Sequence, residues 1–286
     1  MNEPTKKCFQ EEEKMKKRML TTGLLFALVI FTGGSVLAGN LVIKGSTTVL
    51  PIAQKAVEAY MRANPDVSIS LSGGGSSNGI KAIIDGSTDI ANASRFIKDK
   101  EVKLAVSKDV YPVPYAIAYD SIIPVVHPSN NMSNVTLDQL KAIYKGEITN
   151  FKELGGPDRK IVICSRDTSS GTYETWEGKV MNKERVTPAA QLMASNGAIV
   201  QAVSSNKHAI GYIGIGYLND SVKGLTVNGV RGSKESTLNG TFPISRPLFM
   251  FTNGWPTGDT LNFINYMLQP DKGQKHVADS GYVPLY

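Results

Sequence analysis

Val113-Pro114-Tyr115-Ala116-Ile117-Ala118-Tyr119-Asp120-Ser121-Ile122-Ile123-Pro124-Val125-Val126 decides the fold. The run is dense in β-branched and aromatic residues, so it is extended. It is too long for one compact strand and predicts a connection running between two lobes. Phe242 to Phe251 has the same character and predicts a second, returning connection. Two crossings make the first lobe discontinuous: residues 39–118 with 247–286 form lobe I, and residues 119–246 form lobe II. Lobes joined in this way close on a ligand by hinge motion.

On either side of the crossings, short apolar runs alternate with helical patterns, the mark of an α/β fold with a mostly parallel sheet. Leu41–Ile43 predicts a strand. Pro51 to Arg62 predicts a helix with Ile52, Ala53, Ala56, Val57 and Tyr60 on one face, stopped at Asn64-Pro65. Val67–Leu71 and Ile90–Ala93 predict further strands, with a helix over Ile80–Asp85 between them. Thr136 with Gln139 forms a capping box that opens a helix. Ile161–Cys164 and Ile210–Ile215 predict strands, and Tyr173 onward, Ala198–Ser204 and Asp259–Leu268 predict helices.

Composition narrows the function. The chain has 286 residues, 41% hydrophobic and 20% charged, with a formal charge of +6. Six Lys/Arg and four Glu lie within residues 1–38, which leaves +4 for the remainder. No basic run interleaved with aromatics survives there, so nucleic acid is not an expected partner. Lys14 to Arg18 precede an apolar stretch, Leu20 to Phe31, and small residues lead to Ala38. That pattern predicts a cleaved signal peptide over 1–38 and a mature protein exported to a periplasm. The apolar run is shorter than the roughly 20 residues of a spanning helix. Gly39 and Asn40 follow the cleavage point, so no cysteine is available there for a lipid anchor. Cys8 would leave with the signal, and Cys164 reads as a small buried hydrophobe. Two cysteines and three histidines leave little material for a metal site, and neither a metal nor a cofactor is expected.

The informative device is repeated. Gly45-Ser46-Thr47-Thr48, Gly75-Ser76-Ser77-Asn78-Gly79 and Ser169-Ser170-Gly171-Thr172 each stand between a strand and a helix. A helix start leaves backbone N–H groups unpaired at the positive end of the dipole. Hydroxyls add donors there, and glycine lets the backbone approach closely. One junction amounts to ordinary capping. Three of them, with Arg166 inside the third, point to a small oxyanion. Arg95, at the end of the Ile90–Ala93 strand, is a second candidate cation, and an ion pair with Asp167 is the ordinary alternative for Arg166. Gly73–Gly79 lacks the Lys-Ser/Thr of a P-loop, and neither Ser170 nor His127, His208 or His276 has the setting of a hydrolase. Binding without chemistry fits best.

These motifs, in this order, resemble the periplasmic phosphate-binding proteins that feed phosphate ABC transporters. The resemblance rests on Gly45–Pro51, Gly74–Lys81, Asp89–Arg95, Leu137–Gly146 with Thr149-Asn150, and Ser165–Thr172. It implies a bilobal type II periplasmic-binding-protein fold, two α/β lobes with a ligand cleft, and a monomeric receptor, not an enzyme. It would hold inorganic phosphate for a membrane ABC permease. Carried over by motif, the ligand-binding residues are Ser46, Thr47 (hydroxyl), Thr48 (backbone N–H), Ser76, Arg95, Arg166, Ser170, Gly171 and Thr172. Well-known members have aspartate where Arg95 stands, so charge attraction is expected to replace an acceptor here. Sulfate, molybdate or arsenate is the alternative ligand, and an exported phosphatase a more distant one.

Overall fold

A computed structural model describes residues 39–286, and the signal-peptide expectation, with Cys8, lies outside the described residues. The strands are β1 (Gly39–Gly45), β2 (Val67–Gly73), β3 (Ile90–Ala93), β4 (Pro112–Val126), β5 (Asn134–Val135), β6 (Val162–Arg166), β7 (Gln191–Met193), β8 (Ala209–Gly214), β9 (Lys223–Gly224), β10 (Thr226–Val227) and β11 (Ser245–Asn253). The helices are α1 (Leu50–Ala63), α2 (Ser76–Ile84), α3 (Asp99–Val106), α4 (Leu137–Lys145), α5 (Gly171–Lys179), α6 (Asn196–Ser205), α7 (Lys234–Leu238), α8 (Gly258–Leu268) and α9 (Gly273–Asp279). Among the described residues, no helix is long and apolar enough to cross a membrane.

One sheet runs β2-β1-β3-β11-β4-β8-β6-β7, with β9 beside the far end of β4. Both flanks are parallel: β1 pairs with β2 and β3, and β6 with β7 and β8. The centre is antiparallel, which corrects the expectation of a mostly parallel sheet. Residues 112–126 are one strand of 15 residues, longer than the sequence reading allowed. It survives because it has two successive partners: Pro112–Ser121 pair with β11, and Ile122–Val126 pair with β8. Each half is anchored in a different lobe, and both crossings belong to the sheet itself.

The apolar clusters part on those strands. Ile43, Ile52, Ala118, Leu248 and Phe263 belong to one cluster, and Ile80, Ala93 and Phe251 to a smaller one beside it. Ile122, Val125, Leu140, Trp176, Tyr212 and Ile244 form a third. The predicted face of α1 is buried as its spacing requires, with Ile52, Ala53, Ala56, Val57 and Tyr60 all inside. The Thr136 capping box is also present: its hydroxyl accepts from the Gln139 amide at 3.1 Å, and its own amide donates to Gln139 Oε1 at 2.9 Å. Helices α2 and α5 start earlier than their apolar patterns suggest, at Ser76 and Gly171, so the hydroxyl-rich residues form their first turns.

Candidate functional site

The three hydroxyl junctions converge where the lobes meet. After β1 the chain turns at Gly45, whose φ of +136° and contact with the Asn92 carbonyl leave no room for a side chain. Ser46 then caps the turn, its Oγ accepting from the Thr48 amide at 3.1 Å. The Thr48 N–H is therefore occupied, a correction to the role the resemblance gave it, and the Thr48 hydroxyl faces the other lobe instead. Thr48 Oγ1 lies 3.0 Å from Thr172 Oγ1 at the start of α5. The Thr47 hydroxyl accepts from Asn196 Nδ2 at 3.3 Å, and its carbonyl accepts from Tyr217 Oη at 2.7 Å.

The second and third junctions touch each other directly. A methyl placed on Gly171 would collide with Ser76 Oγ and lie 2.7 Å from Ser94 Oγ, so only glycine permits this approach. Ser76 Oγ accepts from the Ser94 amide at 3.0 Å, and the Ser77 amide donates to the Ser169 carbonyl at 3.0 Å across the cleft. Ser170 is the N-cap of α5: its Oγ accepts from the Thr172 and Tyr173 amides, both at 3.2 Å. Both lone pairs of that hydroxyl are filled, so its proton is left to donate. The Gly171 amide, first in the helix, has no backbone acceptor among the described residues.

Arg166 ends β6 and is 1% exposed. Its Nε donates to the Met193 carbonyl at 2.9 Å and Nη2 to the Ala194 carbonyl at 3.0 Å. Among the described residues Nη1 is buried without a partner, and none of their carboxylates pairs with this guanidinium. The pairing with Asp167 does not form, because the Asp167 carboxylate accepts from the Ser169 amide and hydroxyl. Burial lowers the Arg166 pKa, and the nearby Arg246 lowers it further, while Tyr212, Asp167 and Tyr217 oppose the shift. Behind the loop, Tyr212 Oη receives the Arg166 amide at 3.1 Å, and its ring stacks on Trp176 at 4.1 Å. Burial pushes the Tyr212 hydroxyl up to about 12, so it remains a neutral donor and acceptor.

Arg95 is placed differently from its expected role. Nη1 and Nη2 grip Glu101 at 2.8 and 2.7 Å, Nη1 also meets the Phe96 carbonyl, and Nη2 the Ser77 hydroxyl. Nε lies 2.8 Å from Glu174 Oε2, an ion-pair contact off the line of a hydrogen bond. All four Nη N–H groups are engaged, and Nε, which makes no hydrogen bond, sits against the Glu174 carboxylate. Glu174 belongs to α5, so Arg95 ties one lobe to the other.

The cation that does reach the cleft beside Arg166 is one the motifs missed. Arg246 on β11 is 6% exposed and bound to the fully buried Asp120 on β4, with Nε at 3.0 Å and Nη2 at 2.8 Å from Oδ2. Nη2 also donates to Thr172 Oγ1 at 2.9 Å and, more loosely, to Thr48 Oγ1 at 3.4 Å. Burial pushes the Asp120 carboxyl up, opposed by Arg246 and by the Ile215 and Ser121 amides. A usable signal existed: Asp120 and Arg246 are the only charged residues in their two crossings, and their signs are opposite. Asn196, Ser94 and Glu174 carried no comparable signal.

The site thus offers hydroxyls, one free amide and two buried guanidiniums, of which only Arg246 is neutralised by a carboxylate. The histidines are elsewhere: His127 pairs with Ser129, His208 with the Lys160 carbonyl, and His276 with Tyr266. Such an arrangement holds a small anion and provides no histidine base to act on it.

Comparison with known proteins agrees in scale and kind. The PBP superfamily domain matches residues 32–271. The phosphate-binding protein PstS of Bacillus subtilis is 32% identical over 253 residues, covering 87% of this chain and 81% of the relative. A substrate-binding protein from Clostridium perfringens, solved with bound phosphate, is 36% identical with a TM-score of 0.81, over 87% of this chain and all of that one. An ABC-type phosphate transport receptor from Vibrio cholerae is 30% identical with a TM-score of 0.69, over 85% of this chain and 99% of that one.

Proposed function

The chain belongs to the PBP superfamily domain family, among the phosphate-binding proteins, and on that premise we propose that it captures inorganic phosphate between its lobes and delivers it to a membrane ABC permease. It is a receptor and not an enzyme. Proteins of this kind work outside the cytoplasm. Export by a cleaved signal over residues 1–38 is part of the proposal, supported by the basic-then-apolar pattern there. So are a monomeric state and lobe limits at 118/119 and 246/247, the latter supported by apolar clusters that part between Ala118 and Ile122 and between Ile244 and Leu248.

The observation that carries the reading is Arg166. A guanidinium buried to this depth, held by two carbonyls and paired with no carboxylate among the described residues, is costly unless an anion completes it. Its free Nη1, the Gly171 amide and the hydroxyl protons of Ser170 and Thr172 are donors suited to a tetra-oxygen ligand. Thr47 and Ser76 line the same junctions, whereas Ser46 shapes its turn and Arg95 holds the lobes together.

Calorimetric titration of refolded, phosphate-free protein with phosphate and with sulfate tests the assignment. Tight phosphate binding is expected, and Arg166→Ala should weaken it by about 1.5–3 kcal/mol, the scale of a hydrogen bond to a charged group. Tight sulfate binding with no response to phosphate would overturn the choice of ligand. An unchanged affinity in the variant would overturn the site.

A further inference from the structure

Resting on the phosphate reading, we propose that Tyr217 is a positioning residue: carried on a turn anchored at the hinge, its hydroxyl docks on the Thr47 carbonyl as the lobes close and sets the first hydroxyl junction for the anion. Thr47 stands in the first lobe, between β1 and α1, and Tyr217 in the second, three residues past the end of β8. Their bond is short, 2.7 Å from Oη to the carbonyl oxygen. A tyrosine hydroxyl that meets a carbonyl can only be the donor. Burial pushes that hydroxyl up to about 12, opposed by Arg166, so it keeps its proton.

The residues before the tyrosine hold it in place. The Gly214 amide donates to Asn196 Oδ1 at 3.1 Å, and the Ile215 amide to Asp120 Oδ1 at 3.0 Å. Asp120 lies on β4, the strand that spans both lobes, opposite Arg246 on β11. Ile215 packs against the apolar clusters of both lobes. Gly216 lies against Tyr282 and the Ser280 carbonyl in the segment after α9, with no space for a side chain between them. That segment is itself bound to the hinge strand: Tyr119 and Val283 exchange both backbone hydrogen bonds, at 2.8 and 3.1 Å. The Leu218 amide closes the turn on the Ile215 carbonyl at 3.0 Å. Residues 214–216 are thus fixed beside the pivot, and Tyr217 extends from there to the ligand junction.

Thr47 is gripped from the second lobe at two points. Its carbonyl accepts from Tyr217, and its hydroxyl accepts from Asn196 Nδ2 at 3.3 Å. Fixing the carbonyl fixes the peptide that leads into Thr48, whose hydroxyl lies 3.0 Å from that of Thr172. The bond spans the two lobes, so it belongs to the closed state, and water meets both groups when the lobes are apart. Its free energy then counts toward closure and phosphate affinity, and not toward the folding of the open protein.

Tyr217→Phe tests this, because it deletes one oxygen and keeps the ring. Calorimetry should show phosphate affinity lowered about three- to tenfold, the scale of one neutral hydrogen bond. The unliganded variant should melt at the temperature of the unmodified protein, and the loss should appear only in melts with phosphate. An unchanged phosphate affinity would overturn the proposal. So would an equal drop in melting temperature with and without phosphate, which would make the bond a fixed part of the fold and not a product of closure. If the unmodified protein takes sulfate in place of phosphate, the functional reading fails, and the same comparison run with sulfate still decides the role of Tyr217.

Discussion

Replacing Glu174 by glutamine should open the interlobe latch without touching a ligand donor. Glu174 stands in the first turn of α5, and its carboxylate meets three groups of the opposite lobe. Oε2 lies 2.8 Å from Arg95 Nε and 2.6 Å from Lys98 Nζ, and Oε1 accepts from Ser77 Oγ at 2.9 Å. The side chains of Arg95 and Glu174 are 7% and 9% exposed, so water and salt screen their contact weakly. Lys98 is 43% exposed and adds little. Glutamine retains an acceptor for Ser77 but removes the charge, and Arg95 keeps its grip on Glu101 in either state of the cleft. The loss is then one interaction between charged groups, about 1.5–3 kcal/mol. Resolvation of both ions when the lobes separate offsets part of this, so the lower end is expected. Closure, and with it phosphate affinity, should weaken about tenfold. Calorimetry near physiological salt measures the affinity, and X-ray scattering of the phosphate-loaded protein measures closure. An affinity matching the unmodified protein, with the same loaded radius of gyration, would refute the latch.

Three further outcomes follow from the interior. Burial pushes the Cys164 thiol up to about 11, so native protein should not react with maleimide near pH 8, and peptide mapping should find Cys164 labelled only after denaturation. Trp176 is fully buried against Tyr144 and Tyr212, and Trp176→Ala should lower unfolding free energy by about 3–5 kcal/mol in denaturant titrations. Burial alone would raise the Glu101 carboxyl, but hydrogen bonds from Arg95 and the Lys98 amide outweigh it and hold the pKa below the ordinary 4.5. The folded state therefore binds fewer protons there, so this stability is complete above the ordinary value and is lost as pH falls from it through the lower folded pKa. Thermal melts should show the decline, and Glu101→Gln should flatten that part of it.

The parts of the site that were legible are those decided within a few residues. Ser170 caps α5, Thr136 pairs with Gln139, and Gly171 yields room because short-range backbone chemistry demands it. Arg166 was found because it follows an apolar strand and precedes a helix start. The helix starts at Ser76 and Gly171 were placed late because hydroxyl and glycine residues carry no apolar period to read. The occupied Thr48 amide was missed because either a turn or a ligand can use it, and Ser46 Oγ took it.

Arg95 and Arg246 mark the boundary between the two kinds of knowledge. The sequence by itself determined that two extended crossings join α/β lobes and that three hydroxyl-lined helix starts flank them. It offered Arg95 as a second cation, since a strand-end arginine beside such loops has the right chemistry. Tertiary structure alone decided which carboxylate each arginine meets. Arg95 is drawn to Glu101 and, across the cleft, to Glu174, while Arg246 meets Asp120 at a separation of 126 residues through the β4–β11 register. A buried charge takes the partner that packing brings within reach, and that distance is fixed by the strands and helices that fold around it.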